Sequence, residues 1–122
     1  MRIIKIRDKF VDRRGLIANI FPPEVQIRSI LYITGIAGAI RGNHYHRKDE
    51  HYCYITEGSI KYGWIDENGE KQSTLLGSGD MVHTPSEERH QFIFETAGAF
   101  IALATESREQ EHYEEDTIRE SF

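Results

Sequence analysis

The 122-residue chain has one cysteine, three prolines and one tryptophan, and no uninterrupted apolar stretch near the ~20 residues that a bilayer-spanning helix requires. A single thiol excludes an intrachain disulfide, so the fold must be held by packing, and Cys53, set in HYCYI, reads as an interior thiol. The opening MRIIKIRDKF lacks the long apolar segment of a secretory signal, so no membrane partner and a cytoplasmic location are expected. A basic excess is also missing. The net charge is -5, and residues 105–122 account for all of it, with seven acids against Arg108 and Arg119. The preceding residues are balanced, so nothing offers the basic footprint of a nucleic-acid binder. A small anionic ligand remains compatible, because it needs only a local positive pocket.

What is present is glycine, charge and short alternating apolar runs. Hydrophobic residues make up 39% and charged residues 29%, as in an ordinary single globular domain. Residues 2–6, Leu16 to Phe21 and Val25 to Ile33 read as extended, the last with apolar residues of both parities and so expected to be covered on both faces. Clearer strands follow at Ala39 to His46, His51 to Thr56, Ile60 to Ile65, Lys71 to Leu76, Met81 to His83, His90 to Glu95 and Ala99 to Ala104. Asn68-Gly69 marks a hairpin, because both residues tolerate positive φ. Many short strands separated by glycine predict an all-β sandwich or barrel over residues 1–104. Residues 105–122 form an acidic extension, a short helix or an extended arm, that reads as a solvated face, with docking of Tyr113, Ile118 and Phe122 on the barrel or on a neighbouring subunit as the alternative.

The run from Gly38 to Gly58, GAIRGNHYHRKDEHYCYITEG, carries the chemistry. His44 and His46 are two apart and share a strand face. The turn from Arg47 to Glu50 can return the chain so that His51 faces the same cavity, and His90 can join from a third strand. Four imidazoles suit a divalent first-row metal such as zinc, iron, manganese or nickel. Glu50 competes with His51 for the third ligand position, since adjacent strand residues point to opposite faces. The same set also suits a metal-free catalytic or ligand site, or purely structural hydrogen bonding. His83 reads as a rim residue and His112 as a tail residue outside the site.

One positioned base can move a proton beside a carbonyl if a donor, cation or metal stabilises the enolate. His44 or His46 fits that role. Arg41 lies three residues before His44, on the opposite face of an unbroken strand, but Gly42 offers a bend that would bring its planar donor fork to a pyrophosphate. Tyr62, Trp64 and Phe92 are candidate substrate walls, with core packing as the alternative.

Gly38, five residues, His44-Tyr45-His46, four residues, His51, six residues and Gly58 resemble the first motif of the cupin superfamily, with histidine replacing the usual glutamate. Gly79, five residues, Pro85 and then His90 resemble the second, with Glu87 in place of a glycine and Phe94 in place of an asparagine. The resemblance implies a double-stranded β-helix, the jelly-roll barrel. Arg41-Gly42-Asn43-His44-Tyr45-His46 is similar to nucleotide-sugar isomerases and epimerases, and to the cupin portion of capsular-polysaccharide assembly enzymes. That implies proton transfer beside the ketone of a nucleoside-diphosphate 4-keto-6-deoxysugar, with Arg41 on the diphosphate and His44 or His46 moving the proton. Metal-bound and metal-free members both occur, and pairing through outer strands implies a homodimer. The alternatives are a metal-dependent oxygenase-type enzyme and a noncatalytic carbohydrate-binding cupin.

Overall fold

A computed structural model describes residues 1–22, 24–106, 116–119 and 122, with Asn43 through its backbone alone. Twelve strands are found among the described residues: β1 (Arg2–Ile4), β2 (Lys9–Asp12), β3 (Gly15–Ala18), β4 (Ser29–Gly35), β5 (Ile40–His46), β6 (His51–Glu57), β7 (Ile60–Ile65), β8 (Lys71–Leu76), β9 (Met81–Thr84), β10 (His90–Phe94), β11 (Gly98–Ala104) and β12 (Thr117–Arg119). Counting outward from the β7–β8 turn, the pairs are nested: β7 with β8, β6 with β9, β5 with β10, and β4 with β11. Successive pairs fall alternately into two five-stranded sheets, ordered β1-β9-β6-β11-β4 and β12-β5-β10-β7-β8. This long hairpin, wound on itself, is the jelly roll that the motifs imply.

Alternation explains the layers. Cys53, Ile55, Ile60, Tyr62, Leu76, Val82, Phe92, Phe94, Phe100 and Ala102 face inward and fill the space between the sheets. Tyr52, Met81 and Leu103 face outward from the first sheet, yet are buried because Ile4, Ile6, Ile20, Val25 and Ile27 lie over them. Val25 and Ile27 therefore serve as a cover outside any strand, and regular pairing begins only at Ser29. The expectation that this segment is covered on both faces fails within β4. Leu31 and Ile33 pack against the core, while Ile30 and Tyr32 stand 68% and 67% exposed.

The β7–β8 turn is longer than a two-residue Asn68-Gly69 turn. Asp66 Oδ1 accepts from the Asn68 and Glu70 N–H groups, both at 2.9 Å. Gly69 has φ 77°, whereas Asn68 stays at negative φ. Glu87, where the motif has glycine, keeps the left-handed backbone with φ 66°, and its N–H donates to His46 O at 2.6 Å.

The described end of the acidic extension is a strand. β12 pairs with β5, with Thr117 opposite His46 and Arg119 opposite His44, and Phe122 lies over Gly63 of β7. His112 and Tyr113, with the choice of helix or arm for most of the extension, lie outside the described residues. Among the described residues, no helix is long and apolar enough to cross a membrane.

Candidate active site

Paired strands bring three of the four histidines to one cavity. β5 contributes His44, β6 contributes His51 and β10 contributes His90, opposite Leu31 and Ile33 of β4, Phe92 of β10 and Phe100 of β11. The enclosed volume is about 230 Å³, with one wall of imidazoles and one of hydrocarbon. Arg41 and Gly42 complete the lining.

Gly42 is what allows Arg41 and His44 to share this cavity. Pairing between β10 and β5 passes from His90 opposite His44 to Gln91 opposite Gly42, so Asn43 is an extra residue and the strand bulges. The bulge reverses the side-chain parity between Arg41 and His44. Gly42 has φ 98°, and a Cβ there would stand 3.0 Å from His90 O and 3.1 Å from Gln91 Cα, so only glycine fits without strain. Arg41 then donates from Nε and Nη2 to Thr34 O, at 3.3 and 2.9 Å. Those two bonds hold the guanidinium at the cavity, and among the described residues no hydrogen bond engages Nη1.

Hydrogen bonds assign the ring nitrogens. His51 Nε2 lies 2.7 Å from Asp49 Oδ2, and a carboxylate can only accept here, so the proton is on Nε2 and Nδ1 carries the lone pair. Asp49 is itself 5% exposed, and its Oδ1 accepts from Thr105 N–H, Thr105 hydroxyl and Glu106 N–H, at 3.1, 3.3 and 3.1 Å. Burial alone would raise the Asp49 carboxyl. The hydrogen bond from His51, the electrostatic influence of His51 and His46, and the Glu106 N–H hold it below its ordinary value instead. His90 Nδ1 donates to Glu88 O at 3.0 Å, leaving its Nε2 as the lone-pair nitrogen.

Desolvation, reinforced by the neighbouring imidazoles, lowers His44 and His90 from 6.5 to about 3, so both are neutral near pH 7. His44 lies edge-on to His46 and His90, with ring centroids 4.6 and 5.0 Å away.

His46 sits behind this wall, 2% exposed, with Nδ1 3.3 Å from Thr117 Oγ1 and 3.7 Å from Asp116 Oδ2. Its ring centroid is 5.0 Å from that of His51. One ligand atom each from His46, Asp49 and His51 lie within 4.8 Å of one another, an arrangement that fits a first-row divalent ion with two imidazoles and a carboxylate.

Three expected site residues are placed elsewhere. Glu50 points out of the opposite face, where Oε1 accepts from His83 Nε2 at 2.7 Å, because His51 next to it occupies the inward parity. It is therefore not the third member of the imidazole set. Tyr62 is fully buried; its hydroxyl donates to Glu88 Oε1 at 2.8 Å and its ring stacks on Trp64 and on His90. Burial and the Glu88 carboxylate push that phenol far above its ordinary value, so it supports His90 from behind. Trp64 packs against the same core and does not line the cavity. Phe92 does line it. Asp49, which the charged turn concealed, is a candidate site residue that sequence reasoning missed. Its one signal was its position two residues before His51.

The Cupin domain family model matches residues 33–106. No curated protein matches the chain. Among solved structures, a 3,4-ketoisomerase from Helicobacter canadensis is similar over 98% of this chain and 90% of its own, with 18% identity and a TM-score of 0.84. QdtA, a sugar 3,4-ketoisomerase from Thermoanaerobacterium thermosaccharolyticum in complex with TDP, matches 97% of this chain and 86% of its own, with 21% identity and a TM-score of 0.78. A dTDP-4-dehydrorhamnose 3,5-epimerase from Sulfolobus tokodaii matches 85% of this chain and 69% of its own, with 19% identity and a TM-score of 0.73. These likenesses show the shared fold. The family match runs from within β4 to just past β11 and includes every histidine of the cavity, so the chain belongs to the cupin domain family.

Proposed function

We propose that the chain is a nucleotide-sugar isomerase or epimerase that moves a proton beside the ketone of a 4-keto-6-deoxysugar. The observation that carries this reading is the two-walled cavity, with imidazoles facing hydrocarbon and Arg41 held at its lining. The volume of about 230 Å³ suits a single hexose ring, with its diphosphate directed to Arg41 and the nucleoside outside. Support also comes from similarly folded 3,4-ketoisomerases and a 3,5-epimerase, one of them bound to TDP.

His51 is the best-placed base. Asp49 fixes its tautomer and orientation and sets a negative charge against the ring, while Nδ1 is left to take the proton. In a 3,4-ketoisomerase, the base takes the C3 proton and the electron pair forms the enediolate. Return of a proton at C4, with the O3 hydroxyl proton passing to O4, then leaves the ketone at C3 and a hydroxyl at C4, with no net gain or loss of atoms. In an epimerase the proton returns to its original carbon from the other face. His44 presents a neutral imidazole to the developing oxyanion, and the hydrocarbon wall excludes water. In a second version, a divalent ion held by His46, Asp49 and His51 would add positive charge behind the imidazole wall. Metal analysis after purification without added metal tests that second version.

We also propose a homodimer. Ile30 and Tyr32 on edge strand β4, and Phe10, Val11, Leu16 and Ile17 on the β2–β3 hairpin, are exposed apolar surface that a second copy would cover. Light scattering across protein concentration would show a dimer; a monomer at every concentration would refute it. Incubation with TDP-4-keto-6-deoxyglucose, followed by proton NMR, tests the function. Movement of the ketone or inversion of a carbon is expected, and a sugar that binds tightly yet returns unchanged would overturn the assignment.

A further inference from the structure

The described end of the acidic extension lies against the back of the imidazole wall. Asp116 is 8% exposed, and each oxygen of its carboxylate accepts one N–H of the β5–β6 loop: Oδ1 from Lys48 at 2.7 Å and Oδ2 from Asp49 at 3.0 Å. Its own carbonyl accepts from Arg47 N–H at 3.0 Å. One residue thus gathers three successive N–H groups of the loop that carries Asp49. The same Oδ2 lies 3.7 Å from His46 Nδ1, and the next residue places Thr117 Oγ1 3.3 Å from that nitrogen.

We propose that Asp116 is a positioning residue for both halves of the site, holding His46 as its Nδ1–H tautomer and fixing the loop that aims Asp49 at His51. The carboxylate is an acceptor-only group beside Nδ1, so it favours a proton on that nitrogen and leaves the lone pair on Nε2. The ring so fixed is the surface on which His44 packs edge-on at 4.6 Å. Through the loop, Asp116 also sets the backbone of Asp49, which holds His51 at 2.7 Å. A segment 70 residues beyond His46 in sequence therefore tensions two imidazoles at once. Asp116 and Thr117, at the described end of the acidic extension, are thereby a part of the site. This deepens the proton-transfer reading and rests on it for its kinetic consequence, whereas the tautomer is independent of that reading.

The test uses the full chain after chelator treatment. Long-range nitrogen–proton NMR reads the His46 tautomer, and steady-state kinetics use TDP-4-keto-6-deoxyglucose. The unaltered chain is expected to show His46 with Nδ1–H; a predominantly Nε2–H ring overturns the proposal. Asp116→Asn keeps the size and removes the charge. Loss of the Nδ1–H preference is expected, with kcat falling ~10–100-fold, the range for partners behind a first shell of ligands, and KM within about threefold. An unchanged tautomer, or unchanged kcat in a folded variant, overturns it. If Asp116→Asn does not fold, Thr117→Val decides: retention of Nδ1–H supports the carboxylate as its determinant, and a switch to Nε2–H assigns that role to the hydroxyl and overturns the proposal. Should neither protein convert the sugar while the tautomer changes as expected, the functional reading fails and the positioning of His46 by Asp116 stands.

Discussion

Lowering the pH from 7.5 to 5 should destabilise the chain strongly, and the imidazole wall sets the size of the effect. His44 and His90 titrate near 3 in the folded chain, against an ordinary 6.5. Between these values the unfolded chain holds a proton on each ring that the folded chain does not. Stability contributed by keeping the rings neutral is therefore complete above pH 6.5 and is lost as the pH falls toward 3. The slope is about 1.4 kcal/mol per pH unit for each ring. At pH 5 the loss is about 2 kcal/mol per ring, or about 4 kcal/mol for the pair. Against a total of about 5–15 kcal/mol for a domain, that is a large fraction. Urea denaturation of chelator-treated protein, followed by Trp64 fluorescence, measures it. With a urea slope of about 1–2 kcal/mol per molar, the midpoint should drop by about 2–4 M. His44→Asn should roughly halve the pH dependence. A midpoint that is flat between pH 7.5 and 5 would refute the burial argument, since exposed rings would cost nothing to protonate.

Asp49→Asn should leave the cavity in place but lower kcat by ~10–100-fold or more, because the amide no longer fixes His51 as the Nε2–H tautomer; kcat and KM measured separately check this. Arg41→Ala should weaken TDP binding by about tenfold in calorimetry, with kcat at saturation changed far less, because the anchored fork holds the anion in ground and transition states alike. Gly42→Ala should destabilise by about 1–3 kcal/mol in urea titration, since its Cβ meets β10 backbone at 3.0 Å in a left-handed conformation. Glu87→Gly should instead stabilise the chain by a few tenths to about 1 kcal/mol, because φ 66° is strained for glutamate.

The barrel was legible because its strands alternate in parity and end at glycines: β7 and β8 begin and end where the pattern places them. The β4 region was not, because Val25 and Ile27 cover the outer face of another sheet, a choice that no local pattern records. His44, His51 and His90 could be assigned to one cavity from spacing. His46 followed the same parity rule and faces the same way, but β12 lies behind it and the neighbouring rings lie in front, so it is buried rather than open to a ligand. Gly42 signalled a bend, whereas the one-residue bulge became visible only with the partner strand. Tyr62 was misplaced because a core aromatic and a cavity aromatic share one parity, and depth along the barrel separates them. Asp116 had no sequence signal at all, since its partners are backbone N–H groups far away in the chain.

Solvent exchange tests the central claim most directly. TDP-4-keto-6-deoxyglucose incubated with the protein in deuterium oxide should acquire deuterium on a carbon adjacent to its ketone. Asp49→Asn should slow that exchange by ~10–100-fold. A sugar that binds at the cavity yet is recovered without deuterium and without rearrangement would contradict proton transfer as the work of this site.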